Sequence, residues 1–487
     1  MPLVEDTFFL DPNFQGSLQS QIQQIVASAI LSGRFQAGEK LPSSRKLAAH
    51  LGISRITVTL AYNELVADDY ISSATRSGYY VSETAPMVPL EAIKGEMVED
   101  KVDWLQAVQR DFTGGKTVKK ARDWRKYPYP FISGQPDPML FNQASWRLCA
   151  LQALGKKEFD SLTSDYAEHD DPELINFIAR HTLPRRGILA RPEQILVTVG
   201  AQNALWMVAQ ILLGEGTAAA YENPGYYSLR QILRHSGCVR YPVAIDDDGL
   251  PPDSLPEDFD VLFTTPSHQC PTTATMPMRR RHELLKLAGE KGFLIVEDDY
   301  EFEMSFLKAP SPALKSLDKD GRVIYVGSFS KSLFPGLRLG YIVGSEPFIE
   351  QARALRSAVL RHPPGHIQRT TAYFLGLGHY DAMIKKTRNV FHKRRQVMED
   401  ALRTTDLKIA GGASFGGSGF WVEAPMGVDT EALSSYLLSK GVIIEAGGPF
   451  FEGEDAPTNF FRLAYSSIPS EKIPEGIARI QQALGEI

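Results

Sequence analysis

Five short apolar runs recur in the middle of the chain: QILVTVG (194–200), AAAYENP (218–224), DVLFTTP (260–266), FLIVEDD (293–299) and RVIYVGSF (322–329). Each runs out into Gly, Pro, Ser or Asp. Helical patterns such as AQNALWMVAQILL (201–213) and RRRHELLKLAGEKG (279–292) lie between them. Runs without polar alternation are strands buried on both faces. Strands alternating with helices therefore predict an α/β fold with a mostly parallel sheet covered on both sides. Polar residues gather at the carboxyl ends of these runs, where open α/β sheets bind ligands.

The 487-residue chain divides by pattern into three zones: 15–83, 84–126 and 127–487. With 43% hydrophobic and 23% charged residues, wholesale disorder is excluded. A net charge of −6 excludes a basic nucleic-acid coat, though not a local DNA-reading element. Three cysteines cannot make a disulfide framework, which fits a reducing compartment. The longest apolar run, 204–213, is about half of the ~20 residues a membrane span needs. The acidic start MPLVEDTFFL does not read as a signal peptide. The expectation is a soluble cytoplasmic protein with no membrane partner and no metal site. Residues 84–126 carry Gly114-Gly115 and a basic run, and read as a linker. Trp104, Leu105 and Val108 sit there at helical spacing, so a docked helix and a loose tether both stand as readings.

Zone 15–83 reads as three short helices and a hairpin. Leu18, Ile22, Ile25, Val26 and Ala29 form one stripe. Ser43 or Ser44 caps a second helix, SRKLAAHL, which Gly52 ends; Ser54 caps a third, RITVTLAYNELVADD. Two helices joined by a short Gly-containing turn make a helix-turn-helix, and the following hairpin (70–81) is a wing. Ser54, Arg55, Thr57 and Thr59 lie off the apolar stripe at the start of the third helix, the part of a recognition helix that meets base edges. Arg reads guanine bidentately, and Ser and Thr reach phosphate or a thymine methyl. Ser44, Arg45, Arg76 and Gly78 join them as candidates for the duplex backbone or minor groove. Against this, residues 1–85 hold six Lys/Arg and eight acids, and helix-turn-helices also serve as packing units. From spacing alone, both readings stand. The segment LPSSRKLAAHLGISRITVTLAYNELVADDYISSATRSGYYV resembles the GntR-type winged helix along its whole length, with Asp69 where a Gly commonly precedes the wing strand. The resemblance implies a dimeric, DNA-binding bacterial transcription factor.

In the third zone four constellations stand at strand ends. Ser328-Phe-Ser330-Lys331 is followed by Arg338: a lysine at a cleft, desolvated, is an amine nucleophile for aldehydes, and hydroxyls with an Arg suit a phosphate. IVEDDYEFEM sets Asp298 and Tyr300 upstream of it; an Asp facing a pyridine nitrogen keeps that nitrogen protonated. Gly200-Ala201-Gln202 opens a helix whose N-terminal amides favour anions. Tyr226 follows a Pro-Gly turn, placed to stack on a flat ring. Singly, each has a bland reading: a solvated lysine, an acidic loop, a common strand–helix turn, a core tyrosine.

Together, in this order and spacing, they resemble the fold-type I aminotransferases. The resemblance implies pyridoxal 5'-phosphate, with Lys331 its Schiff-base lysine, Asp298 on the pyridine nitrogen and Tyr300 on the 3-oxygen. Ser328, Ser330, Arg338, Ala201 and Gln202 would hold the phosphate, and Tyr226 would stack. Thr265-Pro-Ser-His268-Gln269-Cys-Pro271-Thr-Thr273 stands where those enzymes carry an Asn before Pro-Thr-Gly. His268 or Gln269 is expected to do that Asn's work, with Thr273 replacing the Gly. Tyr166 resembles the tyrosine that reaches a neighbouring subunit's phosphate, and Arg462 the arginine that takes a substrate carboxylate. An Arg in so apolar a stretch (Phe460-Phe461-Arg462-Leu463) needs an anion, either a ligand's or one of the chain's own acids.

A winged helix linked to an aminotransferase-like domain is the layout of the MocR/GabR family, which this chain resembles over nearly its whole length. The resemblance implies a regulator that senses a small amino-acid-like effector by exchange at Lys331, as a homodimer with DNA-binding heads exchanged head-to-tail. An aminotransferase with an accessory head is the alternative.

Overall fold

The protein is described by a computed structural model covering residues 5–74, 78–86, 101–165, 168–411 and 415–486. It forms two compact units, Met1–Arg110 and Asp111–Ile487.

In the smaller unit, α1 (Leu18–Leu31), α2 (Ser44–Leu51) and α3 (Arg55–Ala67) precede an antiparallel hairpin, β1 (Ile71–Ala74) and β2 (Gly78–Val81). Ile22, Val26, Leu47, Val58, Tyr62, Leu65, Ile71 and Val81 form one core. Tyr62 is wholly buried and its hydroxyl donates to Pro42 O at 3.1 Å, tying α3 to the turn before α2. Leu18, read as part of the inward stripe, is instead largely exposed at the first turn of α1. The cap of α2 is Ser43, whose Oγ accepts from Lys46 N, while Gly52 closes the helix at φ +65°. Asp69 takes φ +58°, the conformation a glycine would adopt without strain. Its carboxylate compensates by accepting from Ser82 Oγ (2.9 Å) and Thr84 Oγ1 (2.6 Å), which pins the end of the wing.

Of the stretch 84–126, Trp104–Ala107 forms a single helical turn capped by Asp103, with Trp104 and Leu105 exposed. From Asp111 the chain belongs to the larger unit, where Trp124 is buried against Ile132 and Ile443.

All five runs form strands: β3 (Ile195–Thr198), β4 (Ala218–Asn223), β6 (Val261–Thr264), β7 (Leu294–Asp299) and β8 (Val323–Ser328). The sequence reading missed β5 (Val239–Ala244), a largely exposed edge, and β9 (Gly340–Val343). The seven pair in the order β3-β9-β8-β7-β6-β4-β5, and only β9 runs antiparallel to its neighbours. Helices α4 (Ala201–Leu212), α5 (Tyr227–Ser236) and α6 (Met278–Lys291) are among those that cover the sheet. A second, antiparallel sheet orders β10 (Lys408–Ala410), β11 (Gly419–Glu423), β13 (Phe460–Ala464) and β12 (Glu445–Ala446) side by side. Among the described residues, no helix is long and apolar enough to cross a membrane.

Candidate functional site

In the larger unit the carboxyl ends of β7 and β8 deliver Asp298 and Ser328 into one region, with Tyr300 and Lys331 on the turns that follow. Lys331 Nζ lies 5.9 Å from the centroid of the Tyr300 ring. Asp298 is buried, and its Oδ1 has no hydrogen-bond partner. Burial, reinforced by Asp299 and Glu222, pushes its carboxyl up to about 7. A buried carboxylate in this condition is satisfied by a cationic N–H donor, which a protonated pyridine supplies. Burial also pushes the Tyr300 phenol well above its ordinary range, so it is a neutral hydroxyl donor.

A second set of residues offers donors to an anion. Helix α4 opens at Gly200 (φ +84°) with no side chain capping its first amides, those of Ala201 and Gln202. Arg338 reaches over the same turn: a side chain on Gly200 would lie 3.0 Å from its guanidinium. Gly340 holds the turn close, since a Cβ there would lie 2.9 Å from the Gly200 carbonyl carbon. Ser328 Oγ accepts from Ser330 N at 3.2 Å, while Ser330 Oγ is buried without a partner. Uncapped amides, a guanidinium and a spare hydroxyl form a cradle for a dianion. Tyr226 lines a small cavity with Asp298, Thr265 and Leu205. These features fit pyridoxal phosphate at both ends.

The loop after β6 is tied down by its own side chains. The Gln269 amide nitrogen is spent on Glu222 Oε2 (3.0 Å), Pro224 O (2.9 Å) and Cys270 O (2.9 Å), and its oxygen accepts from Thr272. These bonds make Gln269 a brace for the buried Glu222. Cys270 holds the place before Pro271-Thr272 instead, buried, 3.9 Å from an Arg462 nitrogen. The signal was available: the residue before Pro-Thr is the one the Asn would occupy. His268 stacks on Phe415 at 5.2 Å and pairs with Glu301 at 3.1 Å, leaving Nδ1 unpartnered. Thr273 takes φ +63°, as the Gly it replaces would.

Arg462 is half-buried and already paired: Nη2 and Nε lie 2.6 and 2.8 Å from Glu445 Oε2, and the guanidinium sits over the Phe450 ring. Two other arginines are committed elsewhere. Arg230 donates to the carbonyls of Pro449 and Phe451, and Arg361 pairs with Asp165. Tyr166 lies outside the described residues.

In the smaller unit, Ser54 caps α3 by accepting from Ile56 N at 3.2 Å. Arg55 is exposed and its Nε donates to Ser44 Oγ at 3.4 Å, which orients the guanidinium. Arg45 is exposed, Thr57 is half-buried, and Thr59 Oγ1 donates back to Arg55 O at 2.9 Å. Ile56, 70% exposed between them, was not singled out from sequence; it offers an apolar contact for a thymine methyl. Gly78 opens β2 at φ +112°, and Arg76 lies outside the described residues.

Residues 18–81 match the family "Bacterial regulatory proteins, gntR family", and residues 146–480 match "Aminotransferase class I and II". The chain is 53% identical to the HTH-type transcriptional regulator TauR of Rhodobacter capsulatus, over 99% of this chain and all of that one. It is 31% identical to the "probable rhizopine catabolism regulatory protein MocR" of Rhizobium meliloti, over 80% of this chain and 78% of that one. Among solved structures, LysN, an α-aminoadipate aminotransferase from Thermus thermophilus complexed with N-(5'-phosphopyridoxyl)-L-leucine, superposes with a TM-score of 0.70. The two are 28% identical, and the match covers 79% of this chain and 99% of that one. The chain thus belongs to the MocR-type transcriptional regulators, in which a GntR-family helix-turn-helix precedes a class I and II aminotransferase domain.

Proposed function

We propose that this regulator binds pyridoxal phosphate on Lys331 and changes its hold on operator DNA when a small amino compound bearing an acid group competes for that site. The unpartnered Oδ1 of Asp298, on a carboxyl raised by burial, is the observation that carries the reading. When bound, pyridoxal phosphate supplies an aldehyde carbon that condenses reversibly with primary amines. Lys331 provides the resident amine. Asp298 holds a proton on the ring nitrogen, Tyr300 donates to the ring oxygen, and Tyr226 covers a face. Ala201, Gln202, Ser328, Ser330 and Arg338 fix the phosphate, so that only the amine position is exchangeable. Arg462 directs the ligand's acid group. Arg55, Thr57 and the exposed face around them read the operator. By the family's pattern the active form is a cytoplasmic homodimer with heads exchanged between subunits. A switch from 1:99 to 99:1 between two states needs about 5.5 kcal/mol of differential binding, within reach of a new covalent bond plus a buried ion pair. The purified protein should be yellow, and borohydride should fix the colour to the peptide bearing Lys331. A colourless protein that footprints its own upstream DNA normally would overturn the cofactor half of this reading.

A further inference from the structure

Lys120 reaches the same region from a stretch read from sequence as linker. It lies shortly after Asp111, on the chain that arrives from the DNA-binding unit. Its ammonium donates to Ser133 O at 2.9 Å and stands 3.6 Å from Glu445 Oε1. Glu445 Oε2 holds Arg462, and Oε1 also accepts from Ser133 N. Glu445 is buried, whereas the Lys120 side chain keeps 35% of its surface. Gly134 shows where that surface leads. A side chain there would lie 2.8 Å from Lys331 Nζ and 3.9 Å from Lys120 Nζ, so both amines border the space above this glycine.

The charges do not balance. Two cations, Lys120 and Arg462, share the one carboxylate of Glu445, so this trio carries a single positive charge. Burial, and repulsion from Lys331 and Arg462, push the Lys120 ammonium below its ordinary range despite Glu445. Beyond its bonds to Ser133 and Glu445, the Lys120 ammonium stands against two further cations, a placement that an incoming anion would stabilise.

We propose that Lys120 is an effector-binding residue. With Arg462 and their shared Glu445 it forms an acid-recognition cluster that accepts one acid group of an amine-bearing ligand. Glu445 repels a second acid, so mono-acid amines are selected over di-acid ones. The inference rests on the cofactor reading above, and it makes the chain leading from the DNA-binding unit part of the ligand's own site.

The test uses the full-length holoprotein and acetate as the probe, with the pH midpoint of the lysine-bound cofactor's absorption band as readout. The charged or titratable groups around Lys331 include Tyr300, Asp298, Glu301, Cys270, Glu445 and Lys120. In the wild type, acetate should raise the midpoint saturably, and succinate should act no more tightly than acetate. Lys120→Met, removing a nearby cation, should raise the midpoint without acetate by about half a pH unit or more and weaken acetate about tenfold. Glu445→Gln should move the midpoint down, and Lys120→Arg should restore wild-type behaviour. An unchanged midpoint and acetate response in Lys120→Met, or no saturable acetate response in the wild type, would overturn the proposal. Absence of any band in the wild type would instead overturn the cofactor reading, and this proposal with it.

Discussion

Glu445 and Arg462 face each other across neighbouring antiparallel strands, and one carboxylate oxygen takes both Nε and Nη2 of the guanidinium at 2.8 and 2.6 Å. The arginine expected to receive a ligand's acid group therefore holds an internal one. Burial alone would raise the Glu445 carboxyl, but Arg462 and Lys120 outweigh it and hold the group below its ordinary range. The carboxylate stays ionised, so an incoming acid must find cationic capacity left over, and Lys120 is the side chain that has it.

The exposed N-terminal turn of α3 makes Arg55 the strongest base-reading candidate. Arg55→Ala should weaken operator binding by about 1–3 kcal/mol, measured by gel-shift titration on the protein's own upstream DNA. Wild-type affinity would remove Arg55 from the interface.

Asp298 gives the cofactor-free protein a pH-dependent cost. Its folded carboxyl titrates at about 7 against an ordinary 3.8. As pH rises the unfolded chain releases this proton first, so stability falls between about pH 4 and 7 and then levels. Asp298→Asn lacks this loss. Denaturant unfolding should show the cofactor-free variant gaining on the wild type across that window, by up to about 4 kcal/mol. Parallel stability curves would contradict the buried, unpartnered carboxyl.

Gln269 separates brace from ligand. Gln269→Leu strips a donor from the buried Glu222 and should cost about 2–3 kcal/mol of stability while leaving the cofactor's absorption band in place. A shifted band without loss of stability would return Gln269 to the cofactor.

The central strands were legible because each is a continuous apolar run; strand β9 was not, since its four residues follow the lysine loop directly and β5 alternates as an exposed edge. The gathering of Asp298, Tyr300, Ser328 and Lys331 at strand ends and turns was legible from residue type and spacing. Lys120 and Glu445 were not, because nothing local marks a lysine in a basic stretch or a glutamate in a short strand. Only the fold brings residues 120, 134, 331, 445 and 462 together. Asp69 lay between these cases: its departure from glycine was visible, but the two hydroxyls that compensate it, on Ser82 and Thr84, were visible only in three dimensions.

The most direct test is transcription from a reporter fused to the protein's own upstream DNA, compared between cells carrying the wild type and Lys331→Ala. The account predicts that the variant still binds this DNA in vitro, through an intact Arg55 face, but no longer regulates the reporter as the wild type does. A colourless Lys331→Ala protein that regulates the reporter indistinguishably from wild type would contradict it.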